Sequence, residues 1–327
     1  MNAGLQPDYS DVLHPGVPVD VGANIAPLIR GKADPTAATH DGASWLSFQP
    51  PSTGPISLAI IHPPSPVEPG EIRYHIWASG NETAIRYAVE RLPVLLGVDE
   101  QSLAGWAEFD ELLAQTAHLL PERVVEARRR NPGMRFTATG QLVDELLTVV
   151  LEQKVTQQQA RATWGWLAKT YGDPSPVGDP VPKTSPKPAT VLDIPSWEWH
   201  RGWVQPFMVR TLQTVASRAP ALHRLADKPL DQISTGLNSL PGIGPWTVAE
   251  TLQRTHGAAD YVAVKDFHLA HHVGEALTGR RTDDDGMLEL LAPWAGHRQR
   301  IVRLIYASGI RFSRFGPRMA ATDFRDR

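Results

Sequence analysis

The stretch 237–255, LNSLPGIGPWTVAETLQRT, restricts the possible folds more than any other part of this 327-residue chain. Apolar residues at helical spacing lie on both sides of the Pro-Gly-Ile-Gly-Pro run at 241–245, whose prolines and glycines cannot continue a helix. Proline in the first turn of a helix loses no hydrogen bond, because the amide it lacks would have no partner there. The pattern predicts two short helices joined by a tight hairpin, the second running from about Pro245 to Thr255.

The two glycines of this hairpin predict a surface for an anion. Gly242 and Gly244 lack Cβ atoms, so they can take positive φ and let a foreign backbone approach closely. The amides of Gly242, Gly244 and Trp246 would then face outward beside the positive end of the second helix. A DNA phosphate oxygen can bind such amides without any base readout. The alternative is an ordinary helix–helix turn that happens to contain glycine and proline.

The first hundred residues carry a strand pattern followed by a helix. The segments 56–62 and 71–78 are rich in β-branched residues and alternate between apolar and polar positions. After Gly80, the stretch 81–96 begins with an asparagine that can cap a helix and has apolar residues at helical spacing. We therefore predict a small α+β domain with an antiparallel sheet over residues 1–104.

The remainder of the chain, residues 105–327, has a helical pattern. The stretch 141–172 is periodic, with no internal proline and one internal glycine, Gly165, so it predicts long helices. Residues 173–190 are rich in proline and polar residues and are expected to form a surface loop or linker rather than a buried element. The predicted fold class is α+β, a small N-terminal antiparallel-sheet domain followed by a mostly α-helical domain.

Composition and charge exclude several classes of protein. The chain has no cysteine, which excludes disulfides, thiol catalysis and cysteine-ligated zinc or iron–sulfur centres. No apolar run is long enough to span a membrane, and no signal peptide is evident, so we expect a cytoplasmic protein.

The net charge is −3, yet residues 296–327 carry eight arginines against two aspartates. This basic patch can bind a polyanion by releasing counterions; a solvated helix face with a loose basic tail is the alternative.

Three blocks of the sequence carry a resemblance to a known family. They are residues 149–172, which are similar to an Ile-Leu-Gly-Gln-x-Val-Ser helix start, the hairpin itself, and DYVAVKDFHL at 260–269. Together they resemble the helix-hairpin-helix (HhH-GPD) DNA glycosylase superfamily, especially its 3-methyladenine DNA glycosylase II branch, over residues 140–310. The resemblance implies an enzyme that removes damaged bases, above all alkylated purines, from double-stranded DNA in base-excision repair.

Asp266 is the candidate catalytic acid. It lies 22 residues after Gly244, at the start of the apparent helix DFHLAHHVGEAL, where the resemblance places the acid of the family; Asp260 matches a second acid six residues earlier. A fixed carboxylate can stabilise the positive charge that develops on the sugar and can orient or deprotonate an attacking water. The alternative is that Asp266 is simply an N-cap. The two roles are compatible, because a capping carboxylate is held rigidly, as an electrostatic catalyst requires.

Trp246 and Phe267 are the predicted base pocket. An electron-rich ring attracts a positively charged alkylated purine. The resemblance matches Trp246 to a base-stacking tryptophan, whereas Phe267 stands where that branch has tyrosine and could instead pack in the core. Bifunctional members of the superfamily carry a Schiff-base lysine at the position of Trp246, so a monofunctional glycosylase without AP lyase activity is implied. Lys265 is interpreted as a phosphate or solvent contact.

Further residues are expected to handle the duplex. Gln153 and Lys154 form the predicted wedge and helix start, where Glu152 replaces the glycine of the family. Lys154 falls where some relatives have an apolar wedge, and it could fill the gap left by a flipped base with its stem while its ammonium reaches phosphate. The predicted DNA-backbone contacts are Gly242, Gly244, Trp246, Thr247, Arg298 and Arg300.

No cofactor is expected to be required. His268 and His272 are at i and i+4, but neither the glutamate of an H-E-x-x-H motif nor an acidic third ligand is apparent, so no metal site is predicted. The resemblance implies at most Na⁺ or K⁺ at the hairpin carbonyls. The expected partner is duplex DNA with damaged bases, bound by a monomer that is nucleoid-associated if bacterial. A glycosylase for deaminated or oxidised bases, and an inactive helix-hairpin-helix DNA-binding module, stay open as alternatives.

Overall fold

The computed structural model describes residues 6–312, in which a five-stranded antiparallel sheet lies against a helical body. The strands predicted at 56–62 and 71–78 and the antiparallel sheet are confirmed, and three further strands were not evident from the sequence pattern. The strands are β1 (Tyr9–Leu13), β2 (Ala37–His40), β3 (Ala43–Phe48), β4 (Ile56–Ile61) and β5 (Ile72–Trp77), in the spatial order β1-β5-β4-β3-β2. Arg314, Arg318, Arg325 and Arg327 of the basic patch lie outside the described residues.

Helices make up most of the rest, and none in the described range is both long and apolar enough to cross a bilayer. They are α1 (Val21–Ile25), α2 (Glu82–Leu95), α3 (Glu100–Thr116), α4 (Glu122–Arg130), α5 (Leu142–Leu151), α6 (Gln157–Tyr171), α7 (Pro188–Asp193), α8 (Ser196–Arg201), α9 (Pro206–Leu225), α10 (Leu230–Asn238), α11 (Pro245–Thr255), α12 (Leu269–Thr278), α13 (Asp284–Leu291) and α14 (Arg298–Ala307).

The sheet is held together by apolar cross-strand pairs. Leu46, Leu58 and Ile76 lie opposite one another on β3, β4 and β5, and all three are buried in the core beneath α2. Burying each such side chain contributes about 1.5–3 kcal/mol. The predicted cap of α2 is confirmed, because the Asn81 side chain accepts the amide of Ala84 at 3.2 Å.

Helix α5 is the centre of the helical body. Nine of its ten residues are buried, including the polar residues Glu145 and Thr148. It packs against α9 and against α11, the second helix of the hairpin. The hairpin is therefore mounted directly on the core, so its turn is held rigidly at the surface.

The periodic stretch 141–172, predicted to form long helices, forms two helices with a break between them. A turn over residues 152–156 separates α5 from α6, and Lys154 within it is left-handed with φ +53°. Thr156 starts α6 with a capping box, in which its hydroxyl and the Gln159 side chain bond each other's backbone amides. The Thr-x-x-Gln spacing of such a box is visible in the sequence and could have located this boundary.

The proline-rich segment 173–190 is not a fully exposed linker. It is irregular as far as Lys187, but its last three residues begin α7. Val181, Thr184 and Ser185 are buried, and the Lys183 amide donates to the Pro35 carbonyl at 3.0 Å. The segment is wedged against the N-terminal part of the chain, a long-range contact that proline content alone does not reveal.

The N-terminal segment, residues 14–36 between β1 and β2, is bonded to the helical body through buried polar side chains. Asn24 donates to the Gly133 carbonyl at 3.0 Å and accepts the Arg135 amide at 2.9 Å. The Asp34 carboxylate accepts the indole N–H of Trp164 at 3.1 Å. These bonds join the N-terminal segment to the loop between α4 and α5 and to α6; the domain boundary at residue 104 stays a prediction.

Candidate active site

The hairpin has the predicted form, but its two glycines differ in conformation and in surroundings. Gly242 takes φ +86°, and a Cβ there would lie 2.1 Å from the hydroxyl oxygen of Thr211 on α9. Glycine is therefore required at 242 by both conformation and space. Gly244 is extended, with φ −113°, so the expectation of positive φ is wrong there. A Cβ on Gly244 would meet nothing within 4 Å, so the backbone at this point is open to an incoming molecule.

The turn presents amides that have no acceptor within the described range. The N–H groups of Gly242, Gly244 and Trp246 make no hydrogen bond to residues 6–312. The last two belong to the N-terminus of α11, where the helix dipole favours an anion. The side chain of Thr247, in contrast, is buried, and its hydroxyl accepts the Gln153 amide. Thr247 can therefore contact a phosphate only through its backbone N–H.

Asp266 is fixed by three donors at the beginning of α12. Its Oδ1 accepts the backbone amides of His268 at 2.8 Å and Leu269 at 2.9 Å. Its Oδ2 accepts the indole N–H of Trp246 at 3.2 Å. The N-cap of α12 is His268, so Asp266 is not itself the N-cap, although its carboxylate accepts the first free amides of the helix start as expected. Because Trp246 lies in the first turn of α11, the bond from its indole joins the carboxylate to the end of the hairpin that carries the unpaired amides.

The two aromatic residues of the predicted base pocket differ in their surroundings. Trp246 is half-buried against the core beside α12, and its N–H is used to hold Asp266. In the structure the indole of Trp246 therefore holds the Asp266 carboxylate in place. Phe267 is 73% exposed, so the alternative that it packs in the core is wrong. Its ring is free to stack on a ligand beside the carboxylate.

An aromatic rim that the sequence reasoning missed lies near the acid. It consists of His268, His272, Tyr306 and Phe312. His268 and His272 are parallel with centroids 5.7 Å apart, and the His272 and Phe312 rings stack at 4.0 Å. The Tyr306 hydroxyl is 3.2 Å from Nδ1 of His272.

Tyr306 extends this rim toward the acid. Loss of solvation raises the pKa of Tyr306 to about 12, with smaller contributions from the negative charges of Asp266 and Glu250. The signal in the sequence was that Tyr306 is the single aromatic residue of helix α14, and the structure shows that it is exposed. The rim gives the site ring faces, ring nitrogens and a phenol within one surface.

The turn at 152–156 contacts the hairpin directly. Gln153 donates to the carbonyl of Gly242 and to the hydroxyl of Thr247, both at 2.9 Å. Gln153 thus braces the hairpin from within and does not begin a helix, which corrects its predicted place at a helix start. Lys154 at the tip of the turn is exposed, with its ammonium 5.9 Å above the ring of Phe207. The predicted wedge residue Lys154 is therefore outward-facing, next to a glutamine that contacts the hairpin turn.

The two arginines predicted to contact the DNA backbone are placed differently. Arg298 is partly exposed but pairs with Asp260, its Nη1 lying 2.8 Å from Oδ2. Arg300 is buried, with its guanidinium carbon 4.9 Å from the centre of the Trp106 ring. Burial lowers the pKa of Arg300 to about 10. The expectation that Arg300 contacts phosphate is contradicted, because its side chain belongs to the core.

Two other residues near the acid do not form chemical sites of their own. Lys265 is exposed and left-handed at φ +68°, with its amide bonded to Asp284 at 2.9 Å. His271 is bonded through Nδ1 to the Thr282 carbonyl at 2.8 Å. Between residues 6 and 312 no group of three or more histidine or carboxylate side chains is arranged to hold a metal ion.

Comparison with known proteins identifies the fold. The sequence matches no protein-family model and no curated protein. The 3-methyladenine DNA glycosylase from Archaeoglobus fulgidus is similar with a TM-score of 0.73 at 12% identity, over 91% of this chain and 98% of that one. The apo form of the Clostridium acetobutylicum 8-oxoguanine glycosylase/lyase gives 0.68 at 8% identity, over 93% and 97%. MBOgg1 in complex with a low-affinity DNA ligand gives 0.67 at 13% identity, over 92% and 95%. The chain therefore has the α+β fold of the helix-hairpin-helix DNA glycosylases.

Proposed function

We propose that this chain is a monofunctional DNA glycosylase that acts as a monomer on duplex DNA and hydrolyses the N-glycosidic bond of alkylated purines in base-excision repair. The observation that carries the proposal is the bond between Trp246 and Asp266. It places a rigid carboxylate beside a helix end whose amides are free to bind phosphate. The similarity of the fold to DNA glycosylase structures supports the same reaction class.

The binding step uses the hairpin. A phosphate oxygen would accept the amides of Gly242 and Gly244 at the positive end of α11, which fixes the strand without reading its sequence. The damaged nucleotide must then leave the stack, at a cost of a few kcal/mol. Lys154 would enter the gap with its stem, since it stands exposed at the tip of the neighbouring turn.

The chemical step uses Asp266. The bond between C1′ and the base nitrogen breaks, its electron pair leaves with the base, and positive charge develops on the sugar. The carboxylate stabilises that charge because three donors already hold it in place and it need not reorganise. Water then adds to C1′ and gives a proton to the carboxylate or to the departing base. The products are the free base and an abasic site.

Two features of the site favour an alkylated purine and argue against strand cleavage. The exposed ring of Phe267 offers a π face to a cationic base, which is worth about 0.5–2 kcal/mol. Trp246 supplies no amine for a Schiff base.

A monovalent cation, Na⁺ or K⁺, is part of the proposal only as an aid to phosphate binding. Within the turn the Gly242 carbonyl is already taken by Gln153, so the Ile243 carbonyl, unpaired within residues 6–312, is the better ligand.

An oxidised purine is the second candidate substrate. His268, His272 and Tyr306 offer hydrogen-bonding atoms beside the acid, and an oxidised base presents more such groups than a methylated one. The similar solved structures include a glycosylase/lyase for 8-oxoguanine.

Base release from a panel of duplexes tests the proposal. Each duplex carries one methylated, deaminated or oxidised base, and the abasic product is revealed by alkali. We expect alkali-dependent breaks with methylated DNA, none without alkali, and loss of release in Asp266→Asn with DNA binding kept. Release confined to oxidised bases would favour the second candidate. Tight binding without release from any duplex would leave a DNA-binding module and overturn the proposal.

A further inference from the structure

Glu152 stands where the resembling family has glycine, and the structure shows what it contacts. Its Oε1 lies 3.2 Å from Nε of Arg30, which comes from the N-terminal segment more than a hundred residues earlier. Arg30 is only 7% exposed. Its guanidinium also bonds Glu145, and it donates to the Thr148 hydroxyl at 3.0 Å, both on α5. The buried guanidinium of Arg30 therefore connects the N-terminal segment with helix α5 and with Glu152, the first residue of the 152–156 turn.

The same cluster reaches the far end of the hairpin helix. Arg254, in the last turn of α11, lies 3.5 Å from Glu145 and bonds Glu250 at 2.7 Å. It also donates to the Pro27 carbonyl at 3.3 Å. The two arginines thus share Glu145. Arg254 also contacts the segment between α1 and β2, in which Arg30 lies. The ions compensate one another, which a buried charge cluster requires.

The turn itself needs outside support. Lys154 is left-handed, a conformation that persists in a non-glycine residue only where the surroundings determine it. Its two preceding neighbours supply that support from opposite sides. Gln153 donates a hydrogen bond to the Gly242 carbonyl of the hairpin, and Glu152 forms an ion pair with Arg30 of the N-terminal segment. Lys154 is the outward-facing residue between these anchors and α6.

We infer that Arg30 is a positioning residue for base extrusion, contributed by the N-terminal segment, which acts through Glu152 to hold the 152–156 turn and so fix Lys154 against the duplex. The inference rests on the proposed function and gives the N-terminal segment a part in it. Arginine is needed because a single planar group must meet Glu152, Glu145 and Thr148 in different directions, which lysine cannot do.

Three variants separate positioning from stability. Glu152→Ala removes the partly exposed end of the pair, and Glu152→Gln keeps the side-chain shape but removes the charge, which an ion pair without a hydrogen bond cannot lose without weakening. Arg30→Lys keeps the buried charge but loses the fork. Glu198→Gln, which breaks the exposed pair with Arg201 on α8, is the matched control. Deuterium exchange of the 152–156 amides is measured on the free protein. Extrusion is followed by the fluorescence of 2-aminopurine placed beside a methylated base.

We expect faster exchange at 152–156 and roughly tenfold slower extrusion in Glu152→Ala and Arg30→Lys, with binding to undamaged duplex unchanged. Glu152→Gln should behave like Glu152→Ala, because it removes the same charge, and Glu198→Gln should match the wild type. Exchange that is unchanged in both Glu152→Ala and Arg30→Lys overturns the inference whether or not the protein is active. Extrusion that is unchanged despite faster exchange also overturns it. A wild type that extrudes no base and releases none would instead refute the proposed function.

Discussion

Replacing Trp246 by Phe tests whether the indole positions the acid. The phenyl ring keeps most of the packing against the core but removes the N–H that Asp266 Oδ2 accepts at 3.2 Å. A hydrogen bond to a charged group contributes about 1.5–3 kcal/mol. The two amides on Oδ1 remain, so we take the lower end of that range. Each 1.4 kcal/mol of transition-state stabilisation is a factor of about ten in rate, and base release should fall roughly tenfold.

Single-turnover base release at saturating enzyme measures this effect, because it separates chemistry from binding and product release. Affinity for an abasic-site duplex and the melting temperature should stay close to the wild type. Trp45→Phe is the matched control, since it loses an indole hydrogen bond of the same length, to the His40 carbonyl, on the sheet. Release by Trp246→Phe at the wild-type rate would refute the positioning role. A large loss of DNA affinity would show that the indole acts on the strand instead.

Three further predictions follow from the geometry. Gly242→Ala should lower the free energy of unfolding by about 2 kcal/mol or more in denaturant titration, because its Cβ would strike Thr211, whereas Gly244→Ala should fold normally and lose DNA affinity. Phe267→Ala should leave the melting temperature unchanged, because the ring is exposed, and should weaken lesion binding roughly tenfold in fluorescence anisotropy. Burial raises the pKa of Asp144 from 3.8 to about 7. The folded protein therefore holds this proton more tightly than the unfolded chain, which stabilises the fold below pH 3.8. That stabilisation is lost as the pH rises to about 7, so the melting temperature should fall over this window, and Asp144→Asn should reduce the fall.

The hairpin was predictable because its signals are local, but the different roles of its glycines were not. Gly242 and Gly244 look equivalent in the sequence. The structure separates them because Thr211, some thirty residues earlier on α9, fills the space beside Gly242 and leaves Gly244 open. Similarly, a carboxylate at Asp266 that accepts amides at the start of α12 was predictable from a polar residue before an apolar run, although the N-cap itself is His268. That Trp246 would bond to it depends on how α11 and α12 pack.

Arg298 and Arg300 show an error that sequence could have avoided. Both were assigned to phosphate contacts, yet residues two apart on a helix point about 200° from each other. They cannot face one strand together. The structure places Arg298 on Asp260 at the surface and Arg300 against Trp106 in the core. A charge count treats the two as one patch, whereas the helical period requires one of them to turn inward.

The residues that hold the candidate site together lie next in sequence to groups that face outward. Gln153 contacts the hairpin 89 residues away while its neighbour Lys154 faces outward. Trp246 holds Asp266 in the same way, one turn from amides that are free to bind phosphate. In a turn or at a helix end, adjacent side chains point in different directions, so an outward-facing residue can be held only by its inward-facing neighbours. A polar residue next to a candidate DNA contact is therefore better interpreted first as its anchor. Glu152, which departs from the resembling family and pairs with a buried arginine, is the position at which this chain has added such an anchor.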